Sequence, residues 1–319
     1  MLKQRVRELI RKIAAPAFKK ELQAHKAIAA VYQEMMQQKK DDQDTTCEAI
    51  VFSKDRAMQL HALLSSYYQQ VENPVKLHVL YTTSTERHFR SYEELKELFT
   101  QKDIHFIVER HFKKDLENLL EGIAAAKLFF MTDDGLFIDR FDLKQVLSFN
   151  YLQVTPSVIK GSDLTYCYIR DKQQSLPAFI QPTTFNLPAG MKCWEWGSAE
   201  EGSDWAYPLS LDTTFYHTRE IRAMIRQIDY RGPNSLESAL QQFYAPVFLQ
   251  RKGVCYDRTK YVNIVCNVVN TEHANRNTGL HTIESLLKKW EEGYRIKYED
   301  LYGKTCGEAE QVEFDFVKR

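Results

Sequence analysis

From Cys47 onward the chain alternates short apolar runs with amphipathic stretches. Glu48–Ser53 (EAIVFS) is apolar without polar alternation, which predicts a strand buried on both faces. Val75–Thr82, Ile104–Glu109 and Lys127–Met131 repeat that pattern. Between them, Ala57–Gln70, Tyr92–Phe99 and Leu116–Ala126 carry apolar residues at helical spacing. Strands separated by helices predict right-handed βαβ units and a parallel sheet. Such sheets bind ligands outside the carboxyl ends of their strands. Two loops therefore become candidates: Ser53–Arg56 after the first strand and Thr132–Gly135 after the fourth.

The flanks differ. Residues 1–46 read as a helical arm, with an apolar stripe of Leu2, Val6, Leu9, Ile10 and Ile13. Pro16 interrupts it, and Phe18, Leu22, Ala29 and Met36 extend an apolar face beyond. Its polar face is basic: Lys3, Arg5, Arg7, Arg11, Lys12, Lys19 and Lys20. Two placements fit such an arm: docked on the body or another subunit, or lying on an anionic membrane surface. Residues 47–150 form the alternating half. Over 151–319 the alternation fades, and Gln153–Asp212 reads as irregular, rich in Pro, Gly, Trp and Ser. Beyond it, Thr214–His217 predicts a strand, Glu220–Ile228 and Ser235–Tyr244 helices, Val254–Val269 strand material, and Thr282–Gly293 a closing helix. The expected fold class is α/β: a mostly parallel Rossmann-type sheet flanked by helices, with an N-terminal helical arm.

Charge narrows the partners. Lys+Arg and Asp+Glu are each 43, so no net field draws the chain to nucleic acid. No apolar run reaches the roughly 18–20 residues of a membrane span. The N-terminus lacks the apolar core of a secretory signal. A cytoplasmic protein is expected; the membrane-surface placement of the basic arm would put it on the inner face of the membrane. The six Cys are scattered without a CxxC spacing, as buried thiols in a reducing compartment would be.

The sharpest chemical signal is FFMTDDGLF, residues 129–137. An apolar strand runs into Asp133 and Asp134. Carboxylates at a strand's carboxyl end can hold Mn²⁺ or Mg²⁺, which in turn grips a diphosphate. An Asp-Gly turn closing a strand is the plain alternative. In the first loop, Lys54, Asp55 and Arg56 with Ser53 suit nucleotide recognition, an acid accepting from ribose or base and a guanidinium pairing with phosphate. Asp55 equally suits a helix cap. Glu109 ends the third strand on the same edge.

These pieces carry a resemblance. IVFSKDRAMQLHALLSS followed by FFMTDDGLF resembles the nucleotide-sugar half of GT-A type glycosyltransferases of the bacterial, family-2-like kind. Asp204-Trp205-Ala206-Tyr207-Pro208-Leu209-Ser210-Leu211-Asp212 is similar to a DW-x-YP-x-S-x-D segment of such enzymes. The resemblance covers roughly residues 48–270. It implies transfer of a sugar from a nucleoside-diphosphate-sugar to an acceptor hydroxyl on a glycan or lipid-linked sugar, in cell-surface polysaccharide or glycan synthesis. Asp134 keeps the metal position of the DxD motif, Asp133 falls on metal or ribose, and Thr132 stands where a strict motif has its first acid. The general base is expected at the start of a helix past the acceptor loop, where Glu237 lies; Asp204 and Asp212 compete for that role or for acceptor binding. Asn234 to Glu237 also has the form of a capping box.

Trp194, Trp196, Trp205 and Tyr207 offer flat faces for stacking pyranose rings, or pin a long loop to the body. His217, His273 and His281 are candidates for a further metal ligand, though a lone histidine is more often structural. Two other classes stay open. A nucleotidyltransferase shares the sheet and the metal, but the first loop lacks its glycines. A non-catalytic nucleotide- or glycan-binding protein of the same fold is kept open by Thr132.

Overall fold

The computed structural model describes residues 44–267, 279–311 and 313–319, together with 19, 21–23, 25–30, 32–33, 269 and 276. The main elements in chain order are β1 (Cys47–Lys54), α1 (Ala57–Gln70), β2 (Lys76–Thr82), α2 (Glu86–Leu98), β3 (Ile104–Val108), α3 (Phe112–Gly122), β4 (Lys127–Thr132) and β5 (Gly135–Phe137). There follow β6 (Val154–Gly161), β7 (Met191–Glu195), β8 (Phe215–His217), α4 (Thr218–Ile225), α5 (Pro233–Phe248), β9 (Lys252–Tyr256), β10 (Tyr261–Ile264) and α6 (Ile283–Glu291).

The main sheet has the order β8-β4-β1-β2-β3. Its last four strands are parallel, and β8 joins antiparallel along β4. Period-two alternation explains why β1 has to be apolar throughout. Ala49 and Val51 enter one core with Leu77, Val79, Phe129 and Met131. Ile50 and Phe52 enter the other with Leu80, Leu128 and Phe130. The first core is covered by α1, whose residues are buried nearly all round because α6 packs on its outer side. The second is covered by α3, α4 and α5, which bring Leu116, Leu120, Ile221, Met224, Leu236 and Leu240.

Some boundaries differ from the sequence reading. Helix α2 starts at Glu86, capped by Thr85, well before Tyr92; its polar first turns hid it. Helix α3 runs from buried Phe112 to Gly122 rather than from Leu116 to Ala126. The stretch read as irregular includes β6 and β7, which flank β9. Strand β6 is buried along its whole length, yet Pro156, Ser157, Lys160 and Gly161 break the apolar pattern that would have revealed it. Two strands beyond residue 150 pair with strands of the first half: β8 with β4 in the main sheet and β10 with β5.

Of the arm, residues 21–23, 25–30 and 32–33 are helical. Ile28 is buried in the second core, and Tyr32 bonds Glu220 and Arg251. Leu22 is 46% exposed and Ala29 is exposed, so the face that docks is Ile28–Tyr32 rather than the expected one. The other expected stripe and basic residues, Lys19 apart, lie outside the described residues. All six cysteines are buried and free. Among the described residues no helix is long and apolar enough to cross a membrane.

Candidate active site

Parallel pairing of β1 with β4 sets Phe52 beside Thr132, so the two candidate loops emerge side by side. Asp133 N–H donates to Phe52 O at 3.0 Å, closing that junction. Asp133 itself turns inward and is 3% exposed. Its Oδ2 accepts from Ser53 Oγ at 2.9 Å and Lys54 N–H at 3.0 Å, and its Oδ1 from Arg56 Nη1 at 3.0 Å. Burial pushes its carboxyl up to about 6, against the lowering effect of Arg56. With both oxygens committed to the first loop, Asp133 braces that loop.

Arg56 ties the loops together. Its Nη1 also reaches Asp134 Oδ2 at 3.0 Å, and its Nη2 donates to Asn267 O at 2.6 Å. Burial works against the guanidinium charge, but Asp133 and Asp134 outweigh it and hold Arg56 ionised. Asp55 adopts a left-handed φ of 56°, which aspartate tolerates. Its oxygens accept from Ser84 N–H at 2.7 Å and Ser84 Oγ at 2.6 Å. Asp55 thus clamps the loop after β2 and does not cap α1, whose N-cap residue, Arg56, makes no side-chain capping bond. Lys54 is exposed at the rim, and Glu109, half-buried at the end of β3, is pushed up by burial and by Asp115 while Lys54 pulls it down.

Asp134 is the less buried of the pair, with 18% of its side chain exposed. Beside it stands Asp212, brought from the segment before β8. Thr132 Oγ1 donates to Asp212 Oδ1 at 2.8 Å and Asn263 Nδ2 to its Oδ2 at 3.0 Å. Burial, then the charge of Asp134, raises the Asp212 carboxyl to about 6. Gly135 follows without a side chain because Tyr261 fills that space: a Cβ there would lie 1.6 Å from the phenol oxygen.

Glu237 lies one turn into α5. The helix is capped by Gly232 and Ser235, whose Oγ accepts from Gly232 N–H at 3.0 Å, so the Asn234–Glu237 capping box does not form. Glu237 Oε2 instead accepts from Leu211 N–H at 2.9 Å, next to Asp212. Burial and then the Asp212 charge push it up to about 7. Tyr207 bonds the same carboxyl. Asp134, Asp212 and Glu237, from three separate parts of the chain, form a line of carboxylates at the carboxyl end of β4. Asp204 is held by Gln174: its Oδ2 accepts from Gln174 Nε2 at 2.9 Å, and its N–H donates to Gln174 Oε1 at 2.9 Å.

Other expected residues do not reach the site. Trp194, Trp196 and Trp205 are each 0% exposed. Trp194 meets Trp196 and Trp205 edge to face at 4.7 and 5.1 Å, and Trp205 Nε1 donates to Leu164 O at 3.0 Å. No indole face is open to a sugar ring; these residues are core, and only Tyr207 of that group borders the carboxylates. His217 pairs with Lys127 at the opposite end of β4, and so cannot join a metal at Asp134. His281 packs between Phe314 and Phe316. His273 lies outside the described residues. Sequence reading missed Lys160, Asn263, Asn267 and Glu310. Of these only Asn263 left a trace, a polar residue inside the apolar run YVNIV.

The metal implied by the motif fits part of this arrangement. Among the described residues no group of three or more His, Cys, Asp or Glu is placed to hold an ion. Asp134 supplies one partly exposed carboxylate, and substrate phosphates and water would complete the sphere, as Mg²⁺ commonly prefers.

No protein-family model matches the chain. Among curated proteins it is similar to the bifunctional glycosyltransferase pgtA of Dictyostelium discoideum, 29% identical over 193 residues, which cover 56% of this chain and 25% of that one. The chain thus spans about a quarter of that relative's length. Solved structures give weaker likenesses. S. aureus TarS has a TM-score of 0.41 at 15% identity, covering 68% of this chain and 36% of that one. A nucleotidyl transferase from Methanothermobacter thermautotroptrophicus has 0.36 at 9%, covering 67% and 88%. Likenesses of this order do not distinguish one activity from the other.

Proposed function

We propose that this chain is a glycosyltransferase that moves a sugar from a nucleoside-diphosphate-sugar to an acceptor hydroxyl. The observation that carries this reading is the line Asp134–Asp212–Glu237: a partly exposed acid at the strand end and, across Asp212, a carboxyl raised to about 7. The stretch similar to a named glycosyltransferase supports it. Asp134 with the diphosphate would hold Mn²⁺ or Mg²⁺. When bound, the ion neutralises charge on the departing nucleoside diphosphate. Arg56 fixes Asp134 at the rim, and Lys54 and Glu109 border the nucleotide side. Glu237 takes the acceptor's proton as its oxygen attacks the anomeric carbon and the bond to the diphosphate breaks. A carboxyl near 7 suits this task, because a base works best with a proton affinity near the operating pH. The acceptor is a glycan or lipid-linked sugar, and the setting is cell-surface polysaccharide or glycan synthesis.

Calorimetric titration of UDP- and GDP-sugars, with and without Mn²⁺, tests the reading. Binding of one donor, tightened by the metal and followed by release of nucleoside diphosphate, is expected. Binding of nucleoside triphosphates with pyrophosphate release would overturn it in favour of nucleotidyl transfer. Absence of nucleotide binding would leave a non-catalytic protein of the fold.

A further inference from the structure

Asn267 follows β10 by three residues and is buried. Three of its polar atoms are taken up by three different segments. Its main-chain O accepts from Arg56 Nη2 in the first loop at 2.6 Å. Its Oδ1 accepts from Gln59 Nε2 of α1 at 3.2 Å. Its Nδ2 donates to His281 O, just ahead of α6, at 3.1 Å. The two side-chain bonds therefore fix where the carbonyl sits, and the carbonyl takes one arm of the guanidinium.

Arg56 is not held as two acids alone would hold it. A guanidinium and a carboxylate favour two parallel N–H···O bonds. Here Nη1 is shared between Asp133 and Asp134, and Nη2 is turned to a neutral carbonyl. The buried Nε finds no partner among the described residues. A buried donor without a partner is unfavourable, so the acids do not choose this orientation, and the Asn267 carbonyl imposes it. Gln59 points the same way. It is buried on α1, and its Nε2 lies on Asn267 Oδ1 and, at 3.7 Å, on Cys266 Sγ. A buried amide needs a partner, and here the partner is the segment that carries the carbonyl.

We propose that Asn267 is the positioning residue of this site. Held by Gln59 and His281, it turns Arg56 so that one guanidinium nitrogen spans Asp133 and Asp134, and so keeps the Asp134 carboxylate in place for the donor's diphosphate. The proposal rests on the reading of Asp134 as the acid on the nucleotide side. Asn267 acts through Arg56 and is not a catalytic residue.

The test compares wild type with N267A, N267S and Q59M. Q59M removes the amide and leaves Arg56 and both acids unaltered, and N267S guards against loss of the fold in N267A. Without the amide pair the Asn267 carbonyl shifts. Arg56 then turns both Nη groups onto Asp133 and competes with the Lys54 N–H that its Oδ2 accepts. Hydrogen exchange of single amides, measured without nucleotide, reads this directly. Lys54 N–H should exchange about tenfold faster in N267A and Q59M, the size expected for losing one hydrogen bond to a charged group. Q59M should add little to N267A, since the two act as one unit. Unchanged exchange at Lys54 overturns the proposal. So does a rise shared equally by the amides of β2, which is what a purely structural asparagine gives. Calorimetric titration of UDP and of GDP, each with Mn²⁺, is the second arm. The nucleotide that wild type binds should bind more weakly to N267A and Q59M by a similar factor, and unchanged affinity overturns the proposal. If wild type binds neither, the reading of the reaction fails, and exchange at Lys54 still decides on Asn267.

Discussion

Thr132 donates a hydrogen bond to Asp212, eighty residues further along the chain, at 2.8 Å. The hydroxyl thus holds a carboxylate at the end of β4. T132V keeps the shape and removes the donor. It should cost about 0.5–1.5 kcal/mol of stability, read by urea unfolding, and lower transfer more than T132S does. Equal activity of T132V and wild type would show that Asp212 needs no support from Thr132.

Asp134 is the carboxylate of the adjacent pair that remains partly exposed. D134A should abolish the effect of Mn²⁺ on nucleotide affinity while the protein stays folded. D133A should instead loosen the first loop, since it strips three hydrogen bonds. A D133A variant as stable as wild type would contradict the bracing role.

The Glu237 carboxyl, raised to about 7, has to lose its proton before it can accept one. Transfer should therefore be low in acid and climb as pH passes through about 7. E237Q should lower the rate by about 10²–10⁴ and remove that limb. It should also flatten the loss of stability with rising pH, because the raised carboxyl favours the folded state only while protonated. An E237Q enzyme with normal transfer would shift the role to Asp212.

Trp205 packs against Trp194 and bonds Leu164 O. W205A should cost about 3–5 kcal/mol, the usual price of emptying a large core site. Its KM for acceptor should be unchanged wherever the variant remains folded. A selective rise in acceptor KM at normal melting temperature would restore the stacking role.

Tyr32 bonds the buried Arg251–Glu220 pair from outside the sheet. Y32F leaves Glu220 short of a donor and should cost about 1–3 kcal/mol. Vesicle sedimentation at low salt tests the remaining role of the arm. Binding to anionic vesicles that is lost with residues 1–18 alone would place the membrane contact ahead of the docked part.

The parallel sheet was legible from local pattern because each strand is buried on both faces and has to be apolar throughout. Ala49, Ile50, Val51 and Phe52 supply both cores and so announce β1 without any knowledge of neighbours. The two loops at the carboxyl ends followed from that, and Asp133 and Asp134 with them. Strand β6 was hidden because its polar residues, Ser157 and Lys160, are buried, Ser157 against Thr214, rather than facing solvent. The division of labour between Asp133 and Asp134 was hidden too: both sit in one turn and bond the same Arg56 nitrogen, and only the further bonds from Ser53 and Lys54 show that Asp133 faces inward. The tryptophans looked like a sugar platform by composition, and burial made them core. Sequence determined which segments are strands and helices through periodicity, a local property. Which carboxylates meet was decided by contacts between segments distant in the chain, and these exist only once β8, α5 and β10 have packed against the first half.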